Sequence, residues 1–86
     1  MKILFHAHFK KEYKKLTLRE QRKCDERLFL FDKDSYNPIL KNHPLRGTYK
    51  GFRSISITGD IRAIYELVTD DTAYFITIGT HNDLYS

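Results

Sequence analysis

Phe52-Arg53-Ser54-Ile55-Ser56-Ile57-Thr58-Gly59-Asp60-Ile61-Arg62-Ala63-Ile64-Tyr65-Glu66-Leu67-Val68 is the stretch that decides the fold. Apolar and polar side chains alternate from Phe52 to Ile57, and β-branched and aromatic residues fill Ile61 to Val68. Thr58-Gly59-Asp60 between them has the chemistry of a hairpin turn. A third strand, Tyr74 to Ile78, follows a second turn at Asp70-Asp71. Just upstream, Arg46-Gly47-Thr48-Tyr49-Lys50-Gly51 reads as a short strand between glycines. Before Pro44 the period is helical: Phe9, Tyr13 and Leu16 form a stripe that leaves Lys10, Lys11, Lys14 and Lys15 outside it. Thr17 and Glu20 make a capping box that opens a second helix, with Leu18, Cys24, Leu28 and Phe31 on its apolar side. Tyr36-Asn37-Pro38 is expected to end that helix. Lys2 to Ala7 suits a first strand. The expected class is α+β: an N-terminal strand, a helical hairpin, then an antiparallel sheet of three to four strands packed on the helices.

The 86 residues make one domain over the whole length, 1–86. A hydrophobic share of 41% supplies a core, and no apolar run approaches the ~20 residues of a membrane span. The single cysteine, Cys24, excludes an internal disulfide framework and a multi-cysteine zinc site. A small cytosolic, cytoplasmic globule is the expectation. Charge is unevenly spread. Residues 1–50 carry thirteen Lys or Arg against six acids, whereas residues 51–86 carry two against five. Such a basic half attracts polyanions or an acidic protein partner, although a solvated helix surface has the same composition.

Alternation also predicts what each face of the sheet carries. Ile55, Ile57, Ala63, Tyr65, Ile76 and Ile78 are expected to point at the helices. Ser54, Ser56, Arg62, Glu66 and Thr77 then fall on the opposite, polar face.

Chemistry-bearing residues cluster in the C-terminal half. Asn42-His43-Pro44-Leu45-Arg46-Gly47 is followed by Lys50-Gly51-Phe52-Arg53, by Gly59-Asp60-Ile61-Arg62, and by Gly79-Thr80-His81-Asn82-Asp83-Leu84-Tyr85. In this order they resemble the RelE/ParE toxin superfamily of bacterial toxin–antitoxin modules, and most closely its YafQ-like ribonuclease branch. The resemblance runs from Leu40 to the end; the first forty residues match only in their strand–helix–helix pattern.

That resemblance implies a toxin that blocks translation by cutting messenger RNA in the ribosomal A site. Cleaving RNA without a metal requires a base for the 2′-OH proton, an acid for the 5′-oxygen, and cations for the phosphorane charge. Histidine, with an ordinary pKa of ~6.5, can serve as either base or acid. Arginine and lysine supply the charge clamp. His43 matches the histidine of the family's H-P-L-x-G motif and His81 that of its G-T-H signature. These two are expected to converge beside a guanidinium, with Gly79 letting the last strand turn sharply. Asp60 matches the aspartate of the family's E-P-D segment, where it orients an imidazole or accepts a proton; it is equally a favoured turn residue. Tyr85 matches a terminal aromatic that stacks on a base, or else it latches the chain end. Arg46, Lys50, Arg53 and Arg62 are the candidate RNA and phosphate contacts, Arg62 with a cross-strand pair to Glu66 as its alternative.

Two positions depart from the family pattern: Ser56 stands where YafQ-like toxins have a histidine, and Thr77 where many members have an arginine. His6 and His8 lack a convincing third ligand, so no metal and no cofactor is expected. The implied partners are a cognate antitoxin, the ribosome and mRNA. A non-catalytic ParE-like poison of DNA gyrase is the main alternative, and a non-toxic RNA- or protein-binding module the other. ParE-like members generally lack the histidine pair.

Overall fold

The computed structural model describes residues 1–85, and the α+β architecture is as expected. Its elements are β1 (Lys2–Phe5), α1 (Ala7–Lys14), α2 (Leu18–Lys33), β2 (His43–Pro44), β3 (Arg53–Ser56), β4 (Ile61–Thr69), β5 (Thr72–Thr80) and α3 (His81–Tyr85). The sheet has five strands in the order β1-β5-β4-β3-β2. β1 joins it parallel to β5, and every other pair is antiparallel. The first strand therefore makes the sheet mixed. No helix among the described residues is long and apolar enough to cross a membrane.

Local chemistry explains the helical hairpin. His6 caps α1, its Nδ1 accepting from the His8 amide at 2.9 Å. The capping box of α2 is complete, with Thr17 Oγ1 accepting from the Glu20 amide and Glu20 accepting from the Thr17 amide. These bonds satisfy amide donors that the first turn of any helix leaves free. α2 stops at Lys33, earlier than the Tyr36-Asn37-Pro38 break suggested. Asn37 instead caps a 3₁₀ turn at Pro38–Leu40, accepting from the Ile39 amide, and Leu40 is buried.

Residues 46–51 do not form a strand. Gly47 has φ of 64° and Gly51 of 95°, both in the left-handed region. Backbone bonds from Lys50 to Gly47 and from Phe52 to Tyr49 close a 3₁₀ turn over Gly47–Tyr49. Glycine spacing marks the turn correctly, but the Thr-Tyr between the glycines reads as strand because both residues favour β structure. Only His43 and Pro44 pair with β3 on this edge. A proline, lacking an amide donor, is tolerated there.

The core lies between the helices and the inner face of the sheet. Phe31 contacts Tyr65 and Phe75 edge-on at 5.0 and 5.3 Å between ring centroids, and Phe9 meets Phe75 at 5.9 Å. Ile55, Ile57, Ala63, Tyr65 and Ile78 are buried in this cluster as alternation predicts. Ile76 is the exception. Tyr65 pairs with Phe75 and Ile64 with Thr77, so Ile76 is the extra residue of a β-bulge. Phe75 takes the core position upstream of the bulge, and Ile78 takes it downstream. Sequence periodicity carries one phase through the strand and so assigns Ile76 inward.

Cys24 is fully buried in α2, and loss of solvation for the thiolate pushes its pKa up to about 12. The native state thus holds the thiol proton more tightly than the unfolded chain does. That contribution is intact at neutral pH and is lost as pH rises beyond the ordinary thiol range towards about 12. Native protein is expected to leave Cys24 unreactive towards a thiol reagent at neutral pH, with full labelling on denaturation. Rapid labelling of the folded chain would contradict this packing.

Candidate functional site

The outer face of the sheet carries most of the predicted site. Ser56, Arg62 and Gly79 lie in register across β3, β4 and β5, as do Ser54, Ile64 and Thr77 one step along. Directly paired residues on antiparallel strands share a face. The polar face predicted from alternation is therefore assembled, but its centre is closed. Ser54 and Ile64 are fully buried and Thr77 is 6% exposed. The rings of Tyr49, before β3, and Tyr85, after β5, meet edge-on at 6.1 Å and so bridge the strands between them.

His81 opens α3 at the end of β5. Its amide donates to the Asp60 carbonyl at 2.9 Å, tying the β3–β4 turn to the start of the helix. Its ring lies 4.7 Å from that of Tyr85, one helical turn on. Thr80 Oγ1 accepts from the Asp83 amide and holds this short helix. Gly79 is not in the left-handed region, and a methyl group there would only touch Leu84 at 3.6 Å. The sharp exit from β5 thus comes from the Asp60 and Thr80 bonds, while Gly79 keeps the space beside Arg62 free of a side chain. Arg62 is half-buried, and its Nη1 donates to the carbonyls of Thr58 and Ile61 at 2.9 and 3.2 Å. Arg46, Thr48, Tyr49, Leu84 and Tyr85 line a cleft of about 250 Å³. Asp60, Arg62, His81 and Tyr85 are thus gathered at one end of the β4–β5 hairpin, with Arg46 across the cleft.

His43 stands apart from them. It pairs with Ser54 on the edge strand β2, three strands from β5. At ordinary strand spacing that is ~14 Å across the sheet, and His81 lies four residues beyond Thr77, which shares the row of His43, so the expected convergence of the two imidazoles does not occur. His43 falls on the outer face with Ser54, and the two imidazoles share no hydrogen bond. Lys41, with φ of 49°, turns the chain so that its carbonyl lies 2.8 Å from His43 Nδ1. A carbonyl only accepts, so this contact puts a proton on Nδ1, and in the neutral ring Nε2 is then the acceptor.

Arg53 faces the other way, in register with Tyr65. Its Nε donates to Asn42 Oδ1 at 2.8 Å and its guanidinium lies 5.4 Å over the Tyr36 ring. Lys50 is exposed at the end of the 3₁₀ turn.

Asn42 is the residue that single-position reasoning passes over. Its Nδ2 donates to the Tyr65 hydroxyl at 2.7 Å and to the Ser35 carbonyl at 2.9 Å. Burial pushes the Tyr65 phenol up, against the lowering effect of donors from Asn42 and Arg53. The residue just before His43 is therefore fastened to the core. Its place beside the His-Pro step is the only sequence signal for this.

Comparison with known proteins extends the picture. A family model described as a bacterial toxin of type II toxin–antitoxin systems, YafQ, matches residues 1–86. The mRNA interferase toxin YafQ of Escherichia coli is 40% identical over 47 residues, which is 55% of this chain and 50% of that protein. The aligned stretch thus spans about half the length of the curated relative. The crystal structure of E. coli YafQ matches with a TM-score of 0.81 at 27% identity, over 98% of this chain and 97% of that one. YafQ in the E. coli DinJ–YafQ toxin–antitoxin complex matches with a TM-score of 0.78 at 28% identity, over 98% and 96%.

The Lys41 contact makes a prediction for His43. Nitrogen NMR of the neutral ring should show the proton on Nδ1. A ring protonated on Nε2 alone would mean that the Lys41 carbonyl does not hold it.

Proposed function

Because the chain belongs to the YafQ family of type II toxin–antitoxin toxins, matched over residues 1–86, we propose that it is a metal-independent endoribonuclease. It cuts mRNA at the ribosomal A site, stops translation, and is silenced by a cognate antitoxin. The observation that carries this reading is the grouping of His81, Tyr85, Asp60 and Arg62 where β4 begins and β5 ends. The toxin–antitoxin complex of the E. coli relative supports the antitoxin half of the proposal.

The chemistry divides among these groups. A base takes the 2′-OH proton, the 2′-oxygen attacks phosphorus, and an acid protonates the departing 5′-oxygen, leaving a 2′,3′-cyclic phosphate. His81 serves at one of these two proton transfers. His43, at least ~14 Å away across the sheet, is too far to act on the same linkage and contacts the RNA strand through its free Nε2. Asp60, joined to His81 through the backbone, is the proton acceptor nearer the linkage. Arg62 has one nitrogen committed to turn carbonyls, which fixes the guanidinium and leaves its remaining donors for the phosphorane. Tyr85 stacks on a base beside the scissile linkage, and Asp60 holds the start of α3 through its backbone. Arg46 adds positive charge at the cleft, Lys50 is an exposed cation next in sequence to Tyr49 of its lining, and Arg53 acts through Asn42.

Ser56 lies directly opposite Arg62, at the position where the resemblance to YafQ-like toxins implies a histidine. Serine offers no imidazole, which leaves His81 as the proton-transfer histidine at this end of the sheet. Thr77 is buried next to Ile64 and contributes no cation.

His81→Ala is expected to lower A-site cleavage by ~10²–10⁴-fold, the usual worth of one acid or base. Growth inhibition should disappear while the melting temperature and antitoxin binding stay unchanged. Full toxicity in His81→Ala would overturn the enzymatic reading and favour a poison that acts by binding.

A further inference from the structure

A second concavity, of about 470 Å³, lies where the β3–β4 turn passes α2. Four cationic residues from separate parts of the chain line it: Lys23 and Arg27 of α2, Lys41 before β2, and Arg62 of β4. Ser56 and Thr58 contribute hydroxyl groups, and none of the lining residues is acidic. The nearest carboxylate on α2 is Glu26, which forms an ion pair with Lys23 at 3.5 Å. Arg27 Nε is buried without a hydrogen-bond partner. Four like charges do not gather for stability. They repel one another, Glu26 offsetting this only at Lys23, and a buried donor lacking an acceptor is unfavourable.

We propose that this pocket binds a backbone phosphate of the RNA strand flanking the linkage that is cut. The inference deepens the ribonuclease reading and rests on it. Arg62 and Ser56 belong both to the pocket and to the outer face, so a strand leaving the cleavage site passes into the pocket without a gap. Guanidinium forks match phosphate oxygens in pairs, and hydroxyls add further donors. Through Lys23 and Thr58 the pocket continues into another cleft that includes Arg19 and Arg22, where Glu20 and Glu26 are also present. This line of cations suits a repeating anion.

An acidic protein segment is the competing occupant, and the distribution of apolar surface argues against it here. The apolar groove lies on another part of the molecule, beside Phe5, Phe9, Tyr13 and Leu28. A folded or extended polypeptide partner would find its hydrophobic contacts there. Ile39 and Ile57 also line the cationic pocket, but the aromatic side chains that would anchor a polypeptide lie at the other groove.

The test uses the full chain carrying Lys23→Gln and Arg27→Gln together, with Arg27→Lys as a charge-retaining control. Neither residue belongs to the catalytic groups. Binding of a short, non-cleavable 2′-O-methyl RNA is followed by anisotropy between about 50 and 200 mM salt. The double variant should bind about tenfold more weakly, with a salt slope shallower by ~1.4, the value for two single-strand phosphate contacts. On mRNA-loaded ribosomes its KM should rise with kcat unchanged, and Arg27→Lys should keep most of the slope. Unaltered affinity and slope in a folded double variant would overturn the proposal. So would loss of antitoxin binding with RNA binding intact, because the pocket would then belong to a protein partner. His81→Ala separates the two readings. If it binds this RNA normally through the pocket but still cleaves, the catalytic assignment fails and the phosphate site stands.

Discussion

Tyr65 has to satisfy two opposed demands. Its ring is 1% exposed, packed against Phe31 and Phe75 with centroids 5.0 Å away in each case. Its hydroxyl cannot be left in that apolar setting without a partner, since a buried unsatisfied polar group costs ~1–3 kcal/mol. Asn42 meets the demand by donating to the phenolic oxygen while accepting from Arg53. The polar end of the central core residue therefore fixes the backbone immediately before His43. Through Arg53 and Tyr36 the same network reaches the segment after α2. The loop that presents the His43 imidazole is held by the core, not by its own short strand.

A second constraint sets the other side of the site. The bulge at Ile76 changes the phase of β5, placing Phe75 in the core and Thr77 and Gly79 on the outer face. An unbroken strand would carry Phe75, Thr77 and Gly79 on one side, and Arg62 would not have Gly79 as its neighbour. The bulge lets β5 contribute aromatic bulk at one end and a glycine in register with Arg62 at the other. The Asp60–His81 backbone bond then turns the chain into α3 and brings Tyr85 back towards Tyr49.

How far this was legible depended on the range of the physics involved. The capping box of Thr17 and Glu20, the helix stripe of Phe9 and Tyr13, and the alternation of Ser54 to Ile57 are local signals, and all were readable. The two glycines flanking Thr48 and Tyr49 were noticed, but strand propensity outweighed the turn they form. The bulge was hidden because Phe75, Ile76 and Ile78 are all apolar and fit either phase. The parallel seat of β1 was not specified, since pairing direction depends on where two helices bring the chain. In the site, motif resemblance singled out His81 and Tyr85, but the short helix that brings their rings together was not expected. The roles of Asn42 and Arg53 were not, because a hydrogen bond to a residue twenty-three positions away leaves no periodic trace.

The claim that the core hydroxyl holds the His43 loop is tested most directly by a double-mutant cycle between Tyr65→Phe and Asn42→Ala, measured by denaturant unfolding. A direct Tyr65–Asn42 bond predicts a coupling of about 1 kcal/mol, the double variant losing less than the sum of the singles. Additivity within ~0.3 kcal/mol would show that the two residues act independently and that something else fixes the loop.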